Sequence, residues 1–253
     1  MATTPPLENP PAPVQLSPSA QRLRAVAPVW HTVLFIVLTL GLTAVQARQQ
    51  PNLNTVNLPS RAPLYFVMIV FEFFMLGYVW IGLRLARVPI RDIVGGRWQR
   101  AQDFWRDVGI AAAFWCVVVG MLFTMSLMLG KNPEGTEAIK ALLPRTPLDM
   151  VAWVCLSVSA GFCEEIVFRG YLQRQFLALA KRDELAVVLQ ALVFGCAHLY
   201  QGWKGAITIT VYGALFGALA AWRKSLRPGM MQHAAQDTVS GLLGSFALRH
   251  HYF

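Results

Sequence analysis

Seven apolar runs constrain this chain more than any other feature. They cover roughly residues 28–46, 63–85, 107–130, 149–172, 185–201, 205–222 and 229–248. Each lies near the ~20 residues a helix needs to cross a bilayer, the run at 185–201 being short and the least sharply bounded. Backbone N–H and C=O groups in hydrocarbon must be paired within their own segment, so runs of this length demand helices. Composition agrees: the chain is 55% hydrophobic and 14% charged, whereas soluble domains are about a quarter charged. The expectation is an all-α polytopic membrane protein of about seven transmembrane helices.

The polar residues are placed as such a protein requires. Residues 1–27 are rich in Pro and poor in large apolar side chains, and read as a disordered tail. The first run reads as a retained anchor. A signal peptide ending near "VQAR" (45–48) is the alternative, disfavoured by the length of the run and by its extended leader. The net charge of +9 reflects 22 Lys and Arg against 13 Asp and Glu. These cations sit at the ends of apolar runs, which fits lipid headgroups and topology and argues against a nucleic-acid partner. Counting loops alternately from an inner N-terminus puts about twice as many Lys and Arg inside as outside, which favours N-in, C-out.

Several smaller features carry structural expectations. Cys116, Cys155, Cys163 and Cys196 all lie in apolar stretches. They lack the spacing of a zinc ribbon or a disulfide frame, so they read as reduced apolar fillers. The stretch "RVPIRDIVGGRWQRAQDFWRD" (86–106) suits either an interfacial segment with its tryptophans at the headgroups or an ordinary basic loop. Gly213 and Gly217, four apart, predict a close approach by another helix.

Against this background the charges inside the apolar runs stand out. "GFCEEIVFRG" (161–170) places Glu164, Glu165 and Arg169 in a membrane helix, where one charge at the centre costs about 2.5–3.5 kcal/mol on the insertion scale. Glu165 and Arg169 are i, i+4 neighbours that can pair, while Glu164 points about 100° away. The run at 185–201 supplies "FGCAH", with Phe194 and His198 on one face. The last run supplies "HAAQD", with His233 and Asp237 on a shared face and Gln236 beside them. Buried polar groups need partners and can find them in one another, so these residues are expected to converge on one polar cavity. Two carboxylates and two imidazoles suit activation of water. Thiol chemistry at Cys163 or Cys196 is disfavoured because apolar surroundings oppose a thiolate.

The ordered motifs E-E-x-x-x-R, F-x-x-x-H and H-x-x-x-N/D on successive membrane helices resemble those of the CPBP intramembrane proteases. That family includes the type II CAAX prenyl endopeptidases and bacterial bacteriocin-processing or immunity proteins. The resemblance covers residues 149–248, a helical catalytic core, preceded by N-terminal membrane helices at 28–148 and followed by a short tail at 249–253. It implies a polar intramembrane catalytic cavity in which Glu164 and His198 activate water and Glu165 and Arg169 order the surroundings. His233 and the polar residue after it would stabilise the oxyanion. This chain departs from the prenyl endopeptidases at Asp237, where they carry asparagine. An ionised Asp accepts hydrogen bonds and donates none, which puts a prenyl-protein substrate in doubt. The resemblance leaves a metal open: a divalent ion such as zinc, if used, would be held by Glu164, His198, His233 and Asp237. It further implies membrane lipid and a membrane-associated peptide or protein as partners, and a bacterial inner membrane with the N-terminus cytoplasmic. A non-catalytic immunity or scaffold protein of the same fold is the alternative.

Overall fold

The structure is a computed structural model that describes residues 23–53 and 59–250, all of them helix or connecting loop. The expected tail at 1–27 falls mostly outside the described residues, as do the last three residues of the expected C-terminal tail. The order is α1 (Val29–Leu53), α2 (Ala62–Leu85), short α3 (Ile90–Val94), α4 (Ala101–Leu129), α5 (Pro133–Leu142) and α6 (Pro147–Glu164). A π-helix (Glu165–Leu172) carries α6 directly into α7 (Gln173–Ala180). Then follow α8 (Asp183–Ala197), a single 3₁₀ turn (Leu199–Gln201), α9 (Gly202–Arg223) and α10 (Arg227–Arg249).

All seven expected segments are helical, and among the described residues five helices are long and apolar enough to cross a membrane: Val29–Gln46, Ala62–Leu85, Ala101–Leu129, Pro147–Ala180 and Leu199–Arg223. The chain is a polytopic membrane protein. The two segments outside that set differ for separate reasons. Helix α8 has only 15 residues, about 22 Å at 1.5 Å per residue. Helix α10 has 23 residues, but Arg227, Gln232, His233, Gln236 and Asp237 dilute its apolar character. The outer faces of the long helices carry exposed Phe66, Phe74, Phe123, Leu127 and Met128, a lipid-facing coat that water would not tolerate at this extent.

Local sequence sets the helix starts. Proline stands in the first turn of α2, α5, α6 and α10, where its missing N–H removes no helical hydrogen bond. At α6 the Thr146 hydroxyl accepts from Asp149 N at 3.1 Å. Asp149 Oδ2 accepts from Thr146 N and Arg145 N at 3.0 and 3.1 Å, completing a capping box. The other carboxylate oxygen of Asp149 accepts from Ser60 Oγ at 2.6 Å, Arg61 N at 2.7 Å and Ala62 N at 2.9 Å. One buried carboxylate thus caps two helices and starts α2 and α6 side by side.

A second buried carboxylate does similar work at the opposite end. Asp107, on α4, meets Arg223 Nη2 at 3.3 Å and Arg227 Nε at 3.2 Å. It also accepts from Trp98 Nε1 at 2.8 Å. Arg227 stacks over the Trp98 ring at 5.0 Å. This joins the loop after α3, the start of α4, the end of α9 and the start of α10. Gly95 in that loop has φ +102°, and a Cβ there would lie 2.6 Å from Ser225 Cα, so only glycine fits. Within 86–106, Trp98 and Trp105 are exposed while Ile93 is buried.

The continuous helix 147–180 runs through the middle of the bundle. Its α6 portion packs between α2 and α10, and α8 packs against α9. A Cβ on Gly161 would lie 2.7 Å from Ala234 N, so the α6–α10 contact is nearly backbone to backbone. Gly213 and Gly217 do lie against another helix, as their spacing predicts. A Cβ on Gly213 would sit 2.9 Å from Phe194, and one on Gly217 2.6 Å from Gln190. Gln190 and Gln173 donate to the carbonyls of Gly213 and Gly217, each at 2.9 Å, bonds that hold α8 and α7 to α9.

Asp149→Ala removes acceptors from two helix starts at once. It is expected to cost at least about 2 kcal/mol, read as a lower Tm in detergent. Asp149→Asn, which keeps one carbonyl acceptor, should lose less. An unchanged Tm for the alanine variant would contradict the double cap.

Candidate active site

The central helix changes character where its charges begin. Glu164 ends α6 and Glu165 opens the π-helix, all eight residues of which are buried. π-turns are rare and recur at functional sites. Because α6 continues unbroken into α7, Glu164 falls near the middle of a 34-residue span. That brings it level with the first turns of α10.

Glu165 is the hub. Its Oε1 pairs with Arg169 Nη1 at 3.1 Å and accepts from His233 Nδ1–H at 3.2 Å. Its Oε2 lies beside the first turn of α10, where a Cβ on Gly229 would come within 3.1 Å. A helix N-terminus favours negative charge. Arg169 is enclosed: its guanidinium carbon lies 4.3 Å from the Phe194 ring centroid and 5.2 Å from that of Phe216. The cation is thus held by one carboxylate and two aromatic faces, a combination worth more away from water. The expected i, i+4 pair is present.

Around this hub the remaining groups are more open. The Glu164 side chain is 13% exposed and that of Asp237 37%, against 1% for Glu165. His233 Nε2 stands 3.8 Å from Glu164 Oε2 and 3.6 Å from Asp237 Oδ2, so one imidazole touches all three carboxylates. The Trp153 indole donates to the Asp237 carbonyl at 2.9 Å and sets this turn of α10 against α6. Cys163 is buried and unbridged.

The structure therefore brings together Glu164, Glu165, Arg169, His233 and Asp237. His198 is not in direct contact with them. Its Nδ1 lies 2.8 Å from the Phe194 carbonyl. A carbonyl can only accept, so Nδ1 carries the proton and the neutral ring keeps its lone pair on Nε2. Tyr200 bridges the gap. Its ring centroid is 5.8 Å from that of His198, and its hydroxyl is within electrostatic reach of Glu164, Asp237 and Glu72. Phe194, read from sequence only as the first residue of F-x-x-x-H, both covers Arg169 and fixes the His198 tautomer.

Glu72 was missed. It is a buried acid on α2 whose carboxyl lies against Glu164, with Asp237 near. Its signal was in the sequence: a lone carboxyl within the run at 63–85 has the same membrane cost that singled out Glu164. Tyr212 and Phe216, whose rings lie 5.7 and 5.5 Å from that of His233, gave no such signal, because aromatic residues are ordinary in membrane helices.

Among the described residues no three His, Cys, Asp or Glu side chains converge at ligand distance. His233 Nδ1 is held by Glu165 and His198 Nδ1 by a carbonyl, which leaves Nε2 of each ring as the nitrogen that would face an ion.

Carboxylates and imidazole held in the interior of a multi-helix membrane bundle are suited to proton transfer or hydrolysis. Residues 146–239 match the family model described as type II CAAX prenyl endopeptidase Rce1-like. This segment is a domain of that CPBP family of intramembrane proteases, and the match spans the helices that carry Glu164, Glu165, Arg169, His198, His233 and Asp237. Comparison with curated proteins and with solved structures gave no match.

Arg169→Leu should cost about 3–5 kcal/mol, because it leaves Glu165 buried without its guanidinium. The Glu165→Leu/Arg169→Leu double variant should recover part of that loss. Thermal unfolding in detergent gives both values, and a double variant as unstable as the sum of the singles would contradict the pairing.

Proposed function

We propose that this protein is an intramembrane endopeptidase in which Glu164 activates water to hydrolyse a peptide bond of a membrane-associated protein or peptide. The observation that carries the reading is the joining of three carboxylates by one imidazole inside a domain of a peptidase family. Glu164 is the carboxylate of the E-E pair that has no guanidinium partner and the one open to solvent. Water gives its proton to Glu164 as its oxygen attacks the carbonyl carbon. The tetrahedral intermediate then breaks at C–N, and the proton passes from Glu164 to the departing amine. His198, with its lone pair on Nε2, orients that water by accepting its second hydrogen. Glu165 and Arg169 fix the ring of His233, and His233 faces the developing oxyanion together with the Asp237 turn.

All seven helical segments cross the membrane in this reading, α10 turning His233 inward and the exposed Leu243 and Phe246 outward. The end that carries Arg87, Arg91, Arg97, Arg100, Arg174 and Arg227 lies in the cytoplasm by the positive-inside rule. The family description supports a lipid-anchored peptide as substrate, and Asp237 in place of asparagine argues against a prenylated one.

Purified protein in lipid should cleave internally quenched peptides, tested with and without a C-terminal prenyl-cysteine motif. Glu164→Gln is expected to reduce the rate at least about 10²-fold with Tm retained. His198→Ala should also be impaired, and Cys163→Ala should remain active. Full activity in Glu164→Gln would refute the assigned base, and a folded but inactive Cys163→Ala would point to the thiol instead.

A further inference from the structure

We propose that the Tyr212 hydroxyl donates a hydrogen bond to the scissile carbonyl oxygen as it becomes an oxyanion. This rests on the peptidase reading above and adds a residue that the family motifs do not contain.

The case begins with the donors in the site. Hydrolysis builds negative charge on one oxygen, and in a site shielded from water that charge needs fixed donors. Asp237 offers none when ionised. The Arg169 fork is enclosed by Glu165, Phe194 and Phe216. His233 Nδ1–H is committed to Glu165, and Trp153 Nε1–H to the Asp237 carbonyl. The amides of Gln173 and Gln190 are committed to glycine carbonyls. His233 Nε2 lies between two carboxylates, and the other buried donors without hydrogen-bond partners near it are on Gln232, the enclosed Arg169 and Tyr212.

Tyr212 holds an uncommitted donor on a ring that packs against that of His233. The residue is 5% exposed, and its buried hydroxyl has no hydrogen-bond partner. Asp237, Glu165, Arg169 and Glu164 all lie within electrostatic reach of that hydroxyl. The ring is fixed, stacked on Phe216 at 4.4 Å and 29° and edge-on to His233 at 5.7 Å. A hydroxyl stripped of water and left unpaired weakens a fold, and phenylalanine would fill the same space without that penalty. A rigid, unspent donor next to His233 fits a ligand oxygen that arrives there.

The test is Tyr212→Phe in purified, lipid-reconstituted protein with the same quenched peptides. The variant keeps the ring packing, so Tm should be unchanged or higher. Its kcat should fall about 10²-fold or more, the usual effect of losing one oxyanion donor, with KM within about threefold. A purely structural hydroxyl would instead lower Tm and leave kcat intact. Glu164-dependent cleavage by the wild-type protein, with Tyr212→Phe within about twofold of it, would overturn this inference and leave the peptidase reading standing. A wild-type protein that cleaves neither peptide would overturn both.

Discussion

The contact between Glu165, Arg169 and His233 is the constraint on which the rest of the bundle depends. Each member alone would be a costly passenger in a membrane helix. Joined, they place a guanidinium, a carboxylate and an imidazole in mutual contact while two phenyl rings cover the cation. Breaking such a group by removing one partner costs several kcal/mol, so it fixes the relation of the π-helix to α8, α9 and α10. What is left over, Glu164 and Asp237, stays partly open. A rigid buried half therefore holds a more accessible half in position.

Two further carboxylates keep that relation in register. Asp149 ties the start of α6 to the start of α2, while Asp107 ties α4 to the α9–α10 turn. They lie at opposite ends of the bundle, and each gathers chain segments far apart in sequence. Between them, glycines 161, 213 and 217 let helices approach closely enough for hydrogen bonds to matter more than apolar area. In a lipid solvent that is the expected source of specificity, because lipid tails offer apolar side chains no less than a neighbouring helix does.

The sequence told much of this where a physical cost was local, and little where the partner lay far away. Seven helical segments were legible from apolar run length. The Glu165–Arg169 and His233–Asp237 pairs were legible from i, i+4 spacing, and the packing of Gly213 and Gly217 from their separation. The π-turn was not, and a run of α6 on toward Lys181 was legible only as one way to bring the polar groups to one depth, beside tilted or broken helices, since Gln173, Arg174 and Gln175 end the apolar run while the helix goes on beyond it. Gln175 lies buried there, accepting from Val26 N and Ala27 N, partners about 150 positions away that no window could reveal. That continuation places Glu164 near mid-span, level with the first turns of α10. His198 shows the opposite limit. Its motif carried no sign that its Nδ1 would be bound by a carbonyl of its own helix or that Tyr200 would stand beside its ring.

The account stands on water reaching Glu164 deep within a membrane bundle while Glu165, one residue on, is sealed away. Labelling the lipid-reconstituted protein with a water-soluble carbodiimide and an amine nucleophile, followed by peptide mass spectrometry, measures this directly. Modification of Glu164 and Asp237 with Glu165 protected is the result expected. Equal protection of Glu164 and Glu165 from the water-soluble reagent, with reaction only from a lipid-soluble one, would contradict it.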